Sequence, residues 1–416
     1  IEVSDKTLVI DPVPIRLWGT YYGDGHLESK SNTIKTDNEN NIIFTGLTFS
    51  SSNVGTTGAF QSTGIPNWET AFIAKFDPNG VRIWGSYVKN NIDAARIYDI
   101  VLNSLNEIYV VGYAWDQDGL SNTITTPGCF REFGSPFSRE GILIKFNQNG
   151  QRIWGTFYGG DQGDEIKTIC LDSQENLIIG GKTNSATGIS TSDGYILNKP
   201  NSTFYPSGFF AKFNPNGMRL YGSYFEREFN YSTIDLLDNV IFGGQYFVNS
   251  DYPNISTTNS HQTICNLTDI FIVKFNRKWC TYYGGTENTS AFGNPDRISG
   301  LGTDNQYNIY FTGTTSSTDN IATVGSYKQF QSVAQIDAFL VKFNSNGTRL
   351  WGTYYGANSN FDDTGESASV SPEGNIFIAG NTRNSTNIAT ANSFQTINRG
   401  GDECFFAKFS SNGNLI

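Results

Sequence analysis

The chain has 416 residues, of which 14% are aromatic and only 16% charged, with 44 glycines and a net charge of -11. So acidic a balance argues against nucleic acid or an anionic membrane surface as the main partner, because either would call for clustered Lys and Arg. Five cysteines, Cys129, Cys170, Cys265, Cys280 and Cys404, are odd in number and lack any Cys-x-x-Cys spacing, so neither a zinc knuckle nor a disulfide framework is indicated.

Residues 1–14 alternate apolar and polar up to Ile10 and then reach two prolines. They read as an N-terminal extension, either a linker with a strand lying on an outer sheet edge or a segment that pairs with a partner. No basic-plus-apolar leader is present and the longest apolar runs are strand-length, which predicts a mature, exported, soluble protein. From Ile15 to Gly23 runs a single Trp-bearing strand, Ile15-Arg16-Leu17-Trp18-Gly19-Thr20-Tyr21-Tyr22-Gly23.

The first complete unit follows. Its clearest phrase is an apolar strand ending in Lys-Phe, Phe72-Ile73-Ala74-Lys75-Phe76, then the turn Asp77-Pro78-Asn79-Gly80, then the strand Arg82-Ile83-Trp84-Gly85-Ser86-Tyr87. The phrase returns around Lys145, Lys212, Lys274, Lys342 and Lys408, and the aromatic anchors fall at Trp18, Trp84, Trp154, Tyr221, Trp279 and Trp351. Upstream of each Lys-Phe phrase lies a β-branched, glycine-ended run such as Ile42-Ile43-Phe44-Thr45-Gly46 or Ile309-Tyr310-Phe311-Thr312-Gly313. Period-2 patterning therefore gives four strands, A to D, per unit, and units of roughly 60–70 residues built of strand and turn predict a radial array of blades. One array can be this long, so the length prior for several domains gives way to a single domain.

The expected fold is all-β, a six-bladed β-propeller over residues 15–416 with four antiparallel strands per blade. The blades run about 24–90, 91–160, 161–227, 228–285, 286–356, and 357–416 plus 15–23. The last assignment rests on complementarity: the chain opens on a lone D strand and stops at Asn412-Gly413-Asn414-Leu415-Ile416, where the sixth D strand should begin. Pairing the two hides a sheet edge that would otherwise expose its backbone.

The phrase Asp337-Ala338-Phe339-Leu340-Val341-Lys342-Phe343, with Leu350-Trp351-Gly352-Thr353-Tyr354-Tyr355-Gly356, resembles the SBBP repeat, a bacterial β-propeller repeat. The resemblance covers essentially residues 15–416. It departs in blade count, since the family implies seven, and in blade four, which reads Asn276-Arg277-Lys278-Trp279-Cys280 and lacks the Asn-Gly turn. The family implies exported, often cell-surface bacterial proteins and no particular chemistry, so it bears on fold more than on function.

Loop length then sorts the faces. A-B and C-D turns are short, as in Asn344-Ser345-Asn346-Gly347, whereas B-C connections such as Leu47 to Thr70, Tyr113 to Glu140 and Gln245 to Thr268 are long. Long connections tend to be functional, so recognition is expected on the B-C/D-A face. Candidate partner-binding residues there are Trp68, Trp115, Asp116, Asp118, Phe130, Phe133, Tyr205, Tyr246, Phe247 and Tyr252, aromatics interleaved with acids. The competing reading folds these aromatics back over the blades as loop cores.

Acids also precede the inner strands, at Glu28, Asp93, Asp164, Glu165, Asp296, Asp362, Asp363 and Glu366. A cation ring of Asp93, Asp164, Asp296, Asp363 and Glu366 holding Ca2+ is one reading. Pairing with nearby hydroxyls, backbone N–H groups or the strand-C lysines is the other, favoured because no Asp-x-Asp-x-Asp-Gly spacing is present. Those lysines read as a packing device with buried stems. The only histidines are His26 and His261, and no nucleophile, zinc or phosphate-loop motif accompanies them, so no catalytic residue, metal or cofactor is assigned.

The expectation is a non-enzymatic protein-interaction module of the bacterial envelope or surface, with a protein partner and no nucleic acid. It is extracytoplasmic, secreted or on the cell surface, or on the periplasmic face of the outer membrane, where it would be an accessory or plug-like subunit of a secretion assembly. The alternative is a secreted glycan-binding or glycan-cleaving propeller, with carboxylates as acid and base.

Overall fold

The computed structural model describes residues 17–23, 28–91, 93–119, 123–200, 205–248, 253–266, 268–275, 279–286, 296–331, 336–359, 361–391 and 393–416, with the side chains of 28–32 and 93 excepted. The extension 1–14, His26 and Tyr252 lie outside them. Among the described residues there is no helix, and so none long and apolar enough to cross a membrane. The chain is an all-β, propeller-like succession of antiparallel meanders.

The strands group into successive meanders, called blades below by their place in the chain: the first comprises β1 (Glu28–Thr36), β2 (Ile42–Thr48), β3 (Thr70–Phe76) and β4 (Arg82–Asn90); the second β5 (Asp93–Leu102), β6 (Ile108–Asp116), β7 (Ser138–Phe146) and β8 (Arg152–Tyr158). Blade three is β9 (Asp164–Leu171), β10 (Leu177–Thr183), β11 (Ser207–Phe213) and β12 (Arg219–Phe225). Blade four is β13 (Tyr231–Ile234), β14 (Val240–Phe247), β15 (Thr268–Lys274) and β16 (Trp279–Tyr283); blade five β17 (Arg297–Thr303), β18 (Ile309–Thr315), β19 (Asp337–Phe343) and β20 (Arg349–Tyr355). Blade six has β21 (Asp363–Val370), β22 (Ile376–Thr382) and β23 (Glu403–Phe409). Bridges from Lys89 to Ala94 and Asn90 to Asp93 join blades one and two into one eight-stranded sheet. The A strands touch in succession, β1 to β5, β5 to β9, β9 to β13, β13 to β17 and β17 to β21, so they form the inner side of the array.

Each short turn is fixed by its own sequence. In the C-D turns Gly80, Gly150, Gly217, Gly347 and Gly413 hold φ near +80°, between 77° and 83°. Glycine serves twice here, because the indole of the preceding blade lies on it. A methyl group on Gly150 would stand 2.7 Å from the Trp84 ring, and one on Gly347 2.6 Å from the Trp279 ring. Each indole also donates across the joint: Trp84 Nε1 to Gln148 O at 2.9 Å, Trp154 to Pro215 O at 3.1 Å, Trp279 to Ser345 O at 3.0 Å and Trp351 to Ser411 O at 3.2 Å. Where blade four has no Asn-Gly turn, the preceding blade carries Tyr221 instead, which packs on Phe210.

In blades one, three, four and five the A-B turn is closed by a carboxylate, in blade two by Asn103 and in blade six by Ser371. Asp235 accepts from the N–H groups of Leu237 and Asn239, both at 3.0 Å, and pairs with Lys274 at 2.7 Å with both side chains buried. Asp37 with Lys75 and Asp172 with Lys212 repeat the arrangement. Burial works against the charge on Asp235, but Lys274 and the amide donors outweigh it and hold the carboxyl below its ordinary value. The strand-C lysine therefore clamps the first hairpin of each of these blades to its third strand.

The N-terminal segment behaves as a D strand toward blade one only. Trp18 lies on Gly80 and donates to Pro78 O at 2.8 Å, and Tyr22 packs on Phe44, Phe72 and Phe76 while donating to Val54 O. Tyr158, Tyr283 and Tyr355 make the same contacts at other joints, donating to Ile189 O, Ile321 O and Ile388 O. Residues 17–23 nonetheless form no strand, and β23 is followed only by a bridge from Phe409 to Leu415, so the sixth sheet has three strands. Two side chains register this. Tyr21 is 103% exposed, whereas its counterparts Tyr87, Phe157, Tyr224, Tyr282 and Tyr354 are buried; Phe406 is 72% exposed, whereas Ile73, Leu143, Phe210, Ile272 and Leu340 are buried.

Candidate functional site

The long B-C loops fold back over the outer strand of their own blade. A threonine anchors each: the N–H groups of Thr56, Thr126, Thr191, Thr257 and Thr323 donate to Gly85 O, Gly155 O, Gly222 O, Cys280 O and Gly352 O. A few residues later an aromatic, Phe60, Phe130, Tyr195, His261 or Tyr327, turns inward toward the next blade. These loops are therefore packed structures whose anchors repeat and whose tips vary.

That packing divides the candidate residues. Phe130 stacks on Tyr158 and meets Phe213 edge-on, with the Arg219 guanidinium 4.6 Å from its ring centre. Tyr246 is buried, its hydroxyl donating to Pro253 O at 2.7 Å. Asp116 is buried and accepts from Gly119 N at 2.9 Å; burial raises its pKa. Outside remain Trp68, at 67% exposure, Trp115 at 38%, Asp118, Phe133, Tyr205 and Phe247. Tyr205 and Phe247 stack, and both rings, with Tyr246, surround the Arg227 guanidinium, which donates to Phe247 O at 2.6 Å. This is a three-sided aromatic cage already filled by the chain's own cation.

The ring acids fall inside the joints. Asp164 accepts from Gly160 N and Ser185 Oγ, both at 2.8 Å; Asp296 from Ser317 Oγ at 2.9 Å, Gly285 N at 3.1 Å and Thr315 Oγ1; Asp363 from Ala357 N at 2.7 Å and from Asn384 Nδ2. Each ties the start of its A strand to the D-A connection and to the end of strand B. Glu366 is exposed and accepts from Thr364 Oγ1; Asp93 lies in β5, with its side chain undescribed. Among the described residues no three His, Cys, Asp or Glu side chains stand where they could hold one metal ion.

The sequence reading missed a second carboxylate, at the start of strand C, facing the first across the D-A glycine. Glu140 stands near Asp164, Asp269 near Asp296, and Asp337 near Asp363. Burial, reinforced by the neighbouring negative charge, pushes Glu140 and Asp269 up to about 7; burial pushes Asp164 up to about 6. The residue after the loop aromatic reaches into this pair. Arg131 pairs with Glu140 at 2.9 Å, Lys328 with Asp337 at 2.7 Å, and Gln262 Nε2 donates to Asp269 Oδ2 at 2.7 Å. Arg131, Gln262 and Lys328 each follow their loop threonine, Thr126, Thr257 or Thr323, by five residues, so aligning the units on that threonine puts them in one column, a signal present in the sequence. His261, beside Gln262, lies against Tyr283 and Phe343; burial, helped by Arg349, pushes its pKa down to about 4, so it is neutral at pH 7.

One cleft of about 420 Å³ opens at the joint of blades two and three, lined by Phe130, Arg131, Gly159, Gly160, Asp161, Thr187, Gly188 and Arg219. Asp161 is committed to the loop opposite, accepting from Ala186 N at 2.9 Å and Thr187 N at 3.2 Å.

No protein-family profile and no curated protein matches the sequence. Solved structures do resemble the fold. A polysaccharide lyase, an ulvan lyase bound to its substrate fragment, is 9% identical over 83% of this chain and 75% of its own, with a TM-score of 0.45. A Bacteroides caccae protein of unknown function is 10% identical over 80% and 84%, TM-score 0.36. The WD40 domain of Neurospora crassa Pan2 is 8% identical over 84% and 85%, TM-score 0.37.

Proposed function

We propose that this chain is a non-enzymatic interaction module of the bacterial envelope or surface, a six-bladed disc that presents its B-C/D-A rim to a protein partner. Within the envelope the role that fits is an accessory or plug-like subunit of an outer-membrane secretion assembly. One observation carries the reading: exposed aromatics recur on the B-C loops and strand-B ends of successive blades, at Trp68, Trp115 with Phe133, Tyr205, Phe247, Phe330 and Phe394. Large apolar side chains spread over one rim are the composition of a protein contact surface.

A pull-down from bacterial envelope extract, run beside a glycan array, tests it. Recovery of one envelope protein, lost with Trp68→Ala and Trp115→Ala and without sugar binding, supports the module; sugar binding without a protein partner overturns it. That outcome would favour a glycan-binding or glycan-cleaving propeller, for which the cleft beside Arg131, Arg219 and the Glu140–Asp164 pair is the observation in support.

The closed ring belongs to the same proposal. Residues 15–23 complete blade six beside Phe405–Phe409, and closure would cover both Tyr21 and Phe406, the copies left open where their counterparts are buried. In a closed ring Tyr21→Ala removes a buried aromatic and lowers stability by about 3 kcal/mol. In an open chain Tyr21 is fully exposed, and an unchanged melting temperature would refute closure.

A further inference from the structure

The three buried carboxylate pairs are alike in position and unlike in charge balance. At the joint of blades five and six the Lys328 ammonium sits 2.7 Å from Asp337 Oδ2 and also donates to Gly356 O at 3.0 Å and Ala357 O at 3.1 Å. At the joint of blades two and three the Arg131 guanidinium fills the same role against Glu140. At the joint of blades four and five the residue in that column is Gln262, which is neutral.

Among the described residues nothing else in that joint makes up the missing charge. Asp269 and Asp296 are both 0% exposed, and among the described residues no lysine or arginine forms an ion pair with either. A third carboxylate, Asp319, lies close by and accepts from Thr286 N at 2.8 Å. Gln262 spends its amide on Asp269 Oδ2 and Ile264 O, and its carbonyl oxygen on Gly284 N. Asp269 Oδ1 is left buried with no hydrogen-bond partner. Its direction is known: a methyl group on Gly284 would meet Asp269 Oδ1 at 2.2 Å and Asp296 Oδ2 at 2.6 Å, so the two oxygens face one another across that glycine. A buried carboxylate oxygen without a donor costs free energy of a few kcal/mol unless something positive meets it.

We infer that the joint of blades four and five holds a hard divalent cation between Asp269 Oδ1 and Asp296 Oδ2, which face one another across Gly284. The donors are oxygens, led by the two carboxylates; beside them the Gly285 carbonyl accepts from Asn266 Nδ2 at 3.0 Å and Asp269 Oδ2 from Asn266 N at 2.9 Å. That is the chemistry of Ca2+. The cation would fasten blade four, whose A strand is only four residues long, to blade five.

The intact chain, stripped with chelator at pH 8, is titrated with CaCl2 by calorimetry, and its melting temperature is followed with and without the ion. Wild type is expected to bind one Ca2+ and to melt higher in its presence, since a ligand of the folded state stabilises it by mass action. Asp269→Asn should weaken binding by about tenfold or more. Gln262→Lys, which imports the Lys328 solution, should abolish binding and raise the melting temperature of the metal-free chain, so that a folded variant reports even if Asp269→Asn fails to fold. The proposal is overturned by a wild type that gives neither heat nor a thermal shift with Ca2+. A Gln262→Lys chain that binds Ca2+ like wild type overturns it as well. So does a wild type that ignores Ca2+ but gains stability as pH falls through 7, the mark of two carboxylates sharing a proton.

Discussion

The two rims of this molecule obey different rules. On the A-B/C-D rim the same devices recur from blade to blade: in blades one, three and four a carboxylate closes the A-B turn and meets the strand-C lysine, and in five C-D turns a left-handed glycine carries the aromatic of the preceding unit. On the B-C/D-A rim only the threonine anchors and the inward aromatic repeat, while the tips diverge from Trp68 to Phe133 to Tyr205. The first rim is where neighbouring blades are held in register, so variation there is penalised by stability. The second is supported from beneath and is free to vary at its exposed ends, which is where specificity is cheap to build.

The largest effect that would sharpen this contrast is on the first rim. Lys274→Ala removes the partner of a fully buried carboxylate, Asp235, and should lower unfolding free energy by about 3–5 kcal/mol. The double change Lys274→Met with Asp235→Asn should recover much of that loss, because no uncompensated charge remains. Chemical denaturation of the three proteins measures both. If Lys274→Ala costs no more than an exposed lysine does, the turn rim is not what holds the blade.

A second, somewhat smaller effect tests the joint itself. Gly150→Ala imposes a side chain where φ is +77° and pushes a methyl group into the Trp84 indole at 2.7 Å. Left-handed strain and overpacking each cost about 1–3 kcal/mol, so a loss of about 2–4 kcal/mol is expected. The same change at Gly58, which has φ of +81° but no atom within 4 Å, should cost only the backbone part. The difference between the two isolates the indole contact. Equal losses would mean that Trp84 yields freely and the joint is soft.

Much of this architecture is legible in the sequence because each repeated residue plays a local part. Lys-Phe endings, Asn-Gly turns and β-branched B strands specify hairpins through neighbours a few positions away, and strands β2, β3, β18 and β19 contain the runs that pattern marks and extend up to two residues beyond them. The pairing of an indole with the glycine of the next unit joins residues roughly 60 positions apart, and one unit alone carries no sign of it. Comparing units does: Tyr221 replaces Trp in the blade whose successor lacks the Asn-Gly turn. The acids before the A strands were readable as candidates, and their involvement with Ser185, Ser317 and Asn384 follows the bland alternative. Their partners Glu140, Asp269 and Asp337 were not readable, because strand C shows them only as the polar residue that precedes an apolar run. Composition made the loop aromatics candidates, but whether Phe130 turns inward or Phe133 outward depends on how the loop crosses the D strand, a matter of three-dimensional packing.

The smallest effect on stability should come from the second rim, and it is the one that bears on function. Trp68→Ala alters a side chain that stands largely in solvent and should shift unfolding free energy by no more than about 0.5 kcal/mol, whereas Trp115→Ala, at a side chain only 38% exposed, should cost about 1 kcal/mol. Phe130→Ala, on the same rim but wedged among Tyr158, Phe213 and Arg219, should cost about 3–5 kcal/mol. Partner binding should invert that order: a rim aromatic that anchors a partner loses about 2 kcal/mol or more of binding energy on truncation, a drop of roughly thirtyfold. Affinity for the envelope partner, measured for the two tryptophan variants beside their melting curves, therefore separates the roles. Loss of binding at little-changed stability assigns Trp68 and Trp115 to recognition; unchanged binding would move recognition off this rim, and the division between a structural and a recognising face would fail.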